Sequence, residues 1–272
     1  MTLAMGLVLA SCGNCGGGGR TASQLAFAAY DPSTYWSSNF ATAGSAVGIV
    51  VLDGSFATAG ANSKTTNWIN SMEVQKQMVF GYVAVMHGSV DPPLIMNKEV
   101  TNLHMWYPQL TGIYLDEGPI DDGNQVQSNN QTTRQNYATY AAGIHNYGWK
   151  VMIEAGGYPF EWVMTVADYV LIWEGAPSLY ETTETGYRPC TGSPCSPNPL
   201  YPTAPNWWNN RSKIVHTIYG YTPGSGNYAD QASVKQVLEK AWQRGAGYVY
   251  LTDASKPGPF PPYWQDEVIA AQ

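Results

Sequence analysis

The sequence predicts a (β/α)8 TIM barrel built as a single domain. Three observations carry this reading. Eight short apolar runs rich in β-branched and aromatic residues alternate with helical stretches. Each run is continuous rather than alternating, as expected of parallel strands covered on both faces. Polar residues collect at the C-terminal ends of the runs, where barrel enzymes keep their chemistry. A length of 272 residues suits one barrel. The alternative is a doubly wound open sheet, but no Gly-x-Gly-x-x-Gly follows the first run, so a dinucleotide fold has little support.

In chain order, QLAFAAY (24–30) is the first strand and ends at Tyr30-Asp31. AVGIVVL (46–52) is the second and leads into Asp53. A helical stretch, KTTNWINSMEVQK (64–76), precedes the third strand, QMVFGYVAV (77–85), which carries Tyr82 and is followed by His87. The helix NKEVTNLHMWY (97–107) places Val100, Leu103, Met105 and Trp106 at apolar positions. TGIYLD (111–116) is the fourth strand, and it ends in two adjacent carboxylates, Asp116 and Glu117, before Gly118-Pro119. Residues 131–147 carry Tyr137, Tyr140, Ala141, Ile144 and Tyr147 at helical spacing and stop at Gly148. WKVMIEA (149–155) brings Glu154, a short helix follows at 158–167, and DYVLIWE (168–174) ends in Trp173-Glu174. Residues 175–211, rich in Pro, Thr and Ser, form a long loop after the sixth strand, a length that is usually functional or disordered. SKIVHTIY (212–219) contains His216 and Tyr219, with Tyr221 just beyond it. The helix at 228–245 aligns Val234, Val237, Leu238, Ala241 and Trp242, and AGYVYLTD (246–253) closes the series at Asp253.

The barrel is expected to occupy residues 23–272, preceded by an export leader and Gly-rich tether at 1–22. The leader is apolar from Leu3 to Ala10 and too short to span a bilayer. Its Leu-Ala-Ser-Cys ending resembles a lipoprotein signal with Cys12 as the lipidated residue, although no positive segment comes before it. The expected location is therefore the cell envelope or the exterior, with a lipid anchor as the one membrane contact. Cys190 and Cys195 bracket the short CTGSPC loop, and in an exported protein they read as a local disulfide.

Charged residues make up 12% of the chain, while 10 Trp and 19 Tyr are present. Flat aromatic faces stack on sugar rings, although most of these residues must serve the core. The net charge of −7 and the lack of any basic run exclude nucleic acid as a partner. Neither a metal nor a cofactor is expected, and the chain reads as a monomer.

Hydrolysis of a glycosidic bond needs two carboxyl groups, one to protonate the leaving oxygen and one to attack the sugar or activate water. The set Asp116, Glu117 and Glu174 meets that need. A helix cap uses one carboxylate, not two, and Gly118-Pro119 opens no ordinary helix. Glu174 ends an otherwise apolar strand, and a buried unpaired carboxylate is costly, so it should face a polar cavity. The other strand-end residues have plainer readings beside the functional one. Asp53 can cap the next helix, Glu154 can merely line the pocket, and His216 can be a satisfied core histidine.

Several segments together resemble the spherulin-4-like family of barrel glycoside hydrolases, related to endo-α-1,4-galactosaminidases. They are VFGYVAVMHG, WYPQLTGIYLDE, ADYVLIWEG, IVHTIYG, and GYVYLTDA followed by PFPPYW. The likeness covers about residues 25–270. It implies endo-acting cleavage of α-1,4-linked galactosamine or N-acetylgalactosamine polymers of microbial exopolysaccharide. It carries catalytic acids onto Asp116, Glu117 and Glu174 but not their individual roles; we expect Glu174 as proton donor, Asp116 as nucleophile or electrostatic stabiliser and Glu117 orienting the substrate. It places Tyr82, His87, His216 and Asp253 along the cleft, with Trp173, Tyr219 and Tyr221 as stacking surfaces, and the strand-end residues Tyr30, Asp53 and Glu154 are expected to bind substrate beside them. Two turns depart from the family pattern: VVLDGSFATAG after strand two and EAGG after strand five. Two other readings compete. One is a sugar-binding barrel without catalysis. The other is a metal-assisted hydrolase using Asp116, Glu117, His87 and His216, for which no ligand spacing appears.

Overall fold

The structure, a computed structural model, describes residues 24–29, 34–119, 131–155, 159–177, 180, 210–221, 231–253 and 260–272. The expectations for residues 1–22, Cys12, Tyr30, Cys190, Cys195 and most of the 175–211 loop fall outside these residues.

Eight parallel strands close into a barrel in sequence order. They are β1 Gln24–Ala29, β2 Val47–Leu52, β3 Met78–Ala84, β4 Gly112–Asp116, β5 Lys150–Glu154, β6 Tyr169–Gly175, β7 Ile214–Ile218 and β8 Tyr248–Leu251. Closure is made by β1 on β8, where Gln24 pairs with Tyr248 and Leu25 with Val249. Each strand lies within the run that predicted it, except that β6 runs one residue further to Gly175, because an apolar run buried on both faces has little freedom in where it can sit.

The described helices are α1 Thr34–Ala43, α2 Ser63–Val74, α3 Pro92–Leu94, α4 Thr101–Trp106, α5 Gln131–Asn146, α6 Val163–Val166, α7 Gln231–Gln243 and α8 Trp264–Ala271. A π-helical stretch, Ile95–Val100, joins α3 to α4. Three of the helices, α1, α3 and α8, have no counterpart among the sequence-predicted ones. The α1 strand-side end is tied down by Gln77, whose side-chain amide donates to the carbonyls of Phe40 (3.0 Å) and Gly44 (2.9 Å). Those carbonyls lie in the last turn of the helix and just past it, where side-chain donors commonly complete the hydrogen bonding. The α8 helix docks through aromatic edges. Trp264 meets Phe260 at 4.6 Å and Phe40 at 6.1 Å between ring centroids.

Inside the barrel, the floor is filled by large side chains, as in other barrels of this type. Phe80 and Tyr248 both pack edge-on against Tyr169. Above this plug the barrel opens into the hollow that holds the site. Among the described residues no helix is long and apolar enough to cross a membrane.

Candidate active site

The site is built by strand alternation. Along β4, Gly112, Tyr114 and Asp116 share one face, and Tyr114 and Asp116 line the cavity at the C-terminal mouth. Ile113 and Leu115 face the helices and are fully buried. On β3, Tyr82 stands beside Tyr114 in register. Its ring fills space that a side chain at position 54 would occupy, since a Cβ on Gly54 would come within 2.8 Å of it. The Tyr82 hydroxyl donates to Asp116 Oδ2 at 2.5 Å, and the Tyr114 hydroxyl donates to Oδ1 at 3.3 Å. Each oxygen of the carboxylate therefore has its own phenol.

On β6 the alternation is broken. Leu171 pairs with Val215 and Trp173 with His216, so Ile172 is an extra residue. This bulge resets the phase of the strand. Leu171 and Glu174, three positions apart, both line the cavity, whereas regular alternation would have put Glu174 outside. Glu174 is exposed at the mouth and pairs in register with Thr217, another lining residue.

Between them, Glu154 ends β5. It is half-buried and accepts a long hydrogen bond from the Gly118 amide at 3.4 Å. Burial, followed by the negative charges of Glu174 and Asp116, pushes its carboxyl up to about 8. Burial and the same three carboxyls, with Tyr219, hold the Tyr114 hydroxyl well above its ordinary value. Tyr114 thus remains a donor throughout the working pH range.

Asp53, Tyr82, Asp116, Glu174 and Tyr219, all anticipated from sequence, line one cavity of about 210 Å³. Asp53 does double duty, since its Oδ1 also accepts from the Ser55 amide at 2.7 Å and caps a short 3-10 turn. Glu154 lies behind the lining rather than in it. Sequence reasoning missed Tyr114, Thr217 and Tyr250, which also line the hollow. The first was legible: it stands two residues before Asp116 and so on the same face.

Other expected cleft residues are placed elsewhere. Glu117 is exposed and does not line the cavity. Its left-handed backbone (φ 54°) turns the chain after Asp116, and its carbonyl accepts from the His87 amide at 2.7 Å. His87 is also exposed and left-handed (φ 56°), with Nδ1 3.1 Å from the Gly118 carbonyl, so it braces the β4 turn. Trp173 and His216 face the helix layer, because their strand neighbours take the inward positions. His216 is buried and hydrogen-bonded through Nδ1 to the Tyr180 hydroxyl at 2.8 Å. Trp173 packs its ring against that of Tyr180. Tyr221 is fully buried, and its carbonyl accepts from the Tyr263 hydroxyl, so it serves the core rather than a stacking surface. Asp253 is exposed and lies outside the cavity lining. The set required for metal assistance does not converge, since His216 is on the far side of the barrel wall from Asp116.

Comparison with known structures places the fold. Sph3 of Aspergillus clavatus, solved in complex with GalNAc, matches 92% of this chain and 97% of its own at a TM-score of 0.68 and 14% identity. The glycoside hydrolase domain of PgaB (BpsB) from Bordetella bronchiseptica matches 92% of this chain and 99% of its own, with a TM-score of 0.50 and 9% identity. D-psicose 3-epimerase from Clostridium cellulolyticum H10 reaches the same TM-score of 0.50 at 11% identity, covering 91% of this chain and 96% of its own. A hydrolase domain and an epimerase thus share this barrel, so the barrel alone selects no reaction. No curated protein matches the chain. The model of spherulation-specific family 4 matches residues 31–271, nearly the whole body described above. The chain belongs to spherulation-specific family 4.

Proposed function

We propose that this protein is an endo-acting glycoside hydrolase that cleaves α-1,4-linked galactosamine- or N-acetylgalactosamine-containing exopolysaccharide. The observation that carries the reading is the convergence of Asp116 and Glu174, from β4 and β6, on one cavity. Glu174 protonates the glycosidic oxygen. Asp116, held by two phenols, faces the positive charge that develops at the anomeric carbon. Glu117, exposed beyond the cavity, orients the polymer outside it. The GalNAc bound by Sph3 supports an amino sugar as the substrate. Among the described residues the lining also contains Asp53, Asp116 and Glu174 but neither Lys nor Arg, which favours a polymer carrying some free, cationic amines.

The test is release of reducing ends from a partly deacetylated α-1,4-galactosaminoglycan. Glu174→Gln is expected to lower kcat about 10²–10⁴-fold, the usual worth of a general acid. Asp116→Asn should fall by a similar factor. Full activity in both variants would overturn the mechanism. Tight binding with no product from the wild-type protein would make it a binding barrel.

A further inference from the structure

Glu174 reaches the cavity only through the bulge at Ile172, so whatever holds that bulge also aims the carboxyl. With Leu171 inside, regular alternation would put Trp173 inside as well and Glu174 outside. A slip of one residue exchanges the two faces of a strand, so the outward seat of Trp173 decides between the two arrangements. That seat is closely built. The Trp173 ring folds back along β6, and a Cβ on Gly175 would come within 3.2 Å of it. It thus spans the strand from one neighbour of Glu174 to the other. Tyr180 closes over it. The Ala176 carbonyl accepts from the Tyr180 amide at 3.0 Å, which keeps Tyr180 next to the strand it follows. The Tyr180 ring meets those of Trp173 and His216 edge-on, with centroids 5.4 Å and 5.6 Å away. The Arg244 guanidinium stands over the same ring, 4.5 Å from its centroid. The Tyr180 hydroxyl and His216 Nδ1 are hydrogen-bonded at 2.8 Å, and His216 pairs in register with Trp173. Tyr180 and His216 are each 2% exposed. Among the described residues His216 Nε2 has no partner, so the bond to Tyr180 is the one that orients the imidazole. Neither buried group can turn to water instead, and breaking the bond leaves both unsatisfied.

We propose that Tyr180 is a positioning residue for Glu174: hydrogen-bonded to His216, it seats Trp173 on the outer face of β6 and so keeps the proton donor turned into the cavity. This rests on the hydrolase reading. Tyr180 is buried behind the barrel wall and touches no substrate, so it acts only on the step that uses Glu174. In that step the Glu174 proton moves to the glycosidic oxygen. The bond from that oxygen to the anomeric carbon breaks, and its electron pair stays on the oxygen, which leaves as an alcohol. Water then adds its oxygen to the anomeric carbon, and the proton it gives up restores the acid. A general acid must stay within hydrogen-bond reach of the oxygen it protonates. A misplacement of about 1 Å can cost about 10²-fold in rate. Asp116 is held separately by its two phenols on β3 and β4, so a shift of β6 leaves it in place.

The experiment compares two leaving groups. One substrate is the partly deacetylated α-1,4-galactosaminoglycan, whose leaving alcohol needs a proton. The other is an α-1,4-linked galactosamine oligomer ending in a dinitrophenyl glycoside, whose phenolate departs without one. Tyr180→Phe keeps the ring and removes the hydroxyl. Its kcat on the polymer should fall about 10–10²-fold, with KM within about twofold of the wild type. Its turnover of the dinitrophenyl substrate should stay within about threefold. Glu174→Gln should show the same selective loss, only larger. His216→Phe removes the same bond from β7 and should match Tyr180→Phe, and it decides the matter if Tyr180→Phe does not fold. The double variant should be no worse than either single one, since one bond is lost in all three. Rates are taken well below each variant's melting midpoint, because a loss of folded protein lowers both substrates alike. An equal loss on both substrates, or wild-type kcat on the polymer, overturns the positioning role and leaves the hydrolase reading standing. A wild type that cleaves neither substrate removes the hydrolase reading, and the role falls with it.

Discussion

At the scale of single residues, strand alternation aims Asp116 at the cavity, and its neighbours fix the carboxylate there. A carboxylate at a strand end can swing, and here a phenol on each oxygen stops it. The short bond from Tyr82 to a charged acceptor belongs to a class worth about 1.5–3 kcal/mol. Tyr82→Phe keeps the ring against Gly54 and removes only that donor. Its kcat should drop about tenfold or more with little change in melting temperature, and steady-state kinetics beside thermal melts would show both. A drop in stability matching the drop in kcat would mean that Tyr82 acts through packing. Gly118 makes the opposite prediction. Gly118→Ala puts a Cβ into the Glu154 carbonyl oxygen, and backbone atoms cannot rotate away. The variant should be strongly destabilised or insoluble, read from soluble yield and denaturant midpoint.

At the scale of elements, legibility followed periodicity. The eight strands could be read because each is an unbroken apolar run, and α2, α5 and α7 because their buried residues recur at helical spacing. The α1 sequence, TYWSSNFATA, offers no such recurrence, and α8 is short and follows the Pro-rich PGPFPP segment. Both are held by tertiary contacts that a local reading cannot see. The site shows the same division. Asp116 and Tyr114 obey strand alternation, so their shared face follows from position. Glu174 faces the cavity only because Ile172 is bulged, and nothing in VLIWEG marks one apolar residue as extra. Glu154 was visible as a strand-end acid, but its link to Glu174 depends on how closely two strands approach. The α8 contacts yield an element-scale prediction. Trp264 is buried against Phe40 and Phe260, tying the last helix to α1. Trp264→Ala should cost about 3–5 kcal/mol, the usual range for emptying a buried aromatic site. Urea unfolding measures it, and a loss below about 1 kcal/mol would mean that α8 contributes little to the barrel.

At the scale of the whole molecule, buried titratable groups squeeze stability from both ends of the pH range. Glu267 on α8 is buried with Oε1 unpartnered, and burial, then Asp253 and Asp266, raise its carboxyl well above the ordinary range. Glu154 is raised to about 8. An unfolded chain releases such protons near pH 4.3, whereas the folded one still holds them. Above that pH the folded state binds more protons, so stability falls as pH rises. His216 has the reverse sign. Burial, then the charge of Arg244, lowers it to about 3, against about 6.5 when unfolded. Between those values the unfolded state binds more protons, so stability falls as pH drops. The two slopes oppose each other from about pH 4.3 to 6.5, and only the carboxyls act above that window. Each uncompensated proton changes stability by about 1.4 kcal/mol per pH unit. Urea midpoints should therefore decline from about pH 6.5 toward 9. Glu267→Gln should flatten this alkaline decline and, by removing an opposing slope, steepen the fall on the acid side between about pH 6.5 and 4.3, while His216→Gln should change only the acid side. If Glu267→Gln leaves the alkaline slope as steep as in the wild type, Glu267 already ionises in the folded protein. The buried proton that sets this limit would then be that of Glu154, and adding Glu154→Gln would flatten the slope instead.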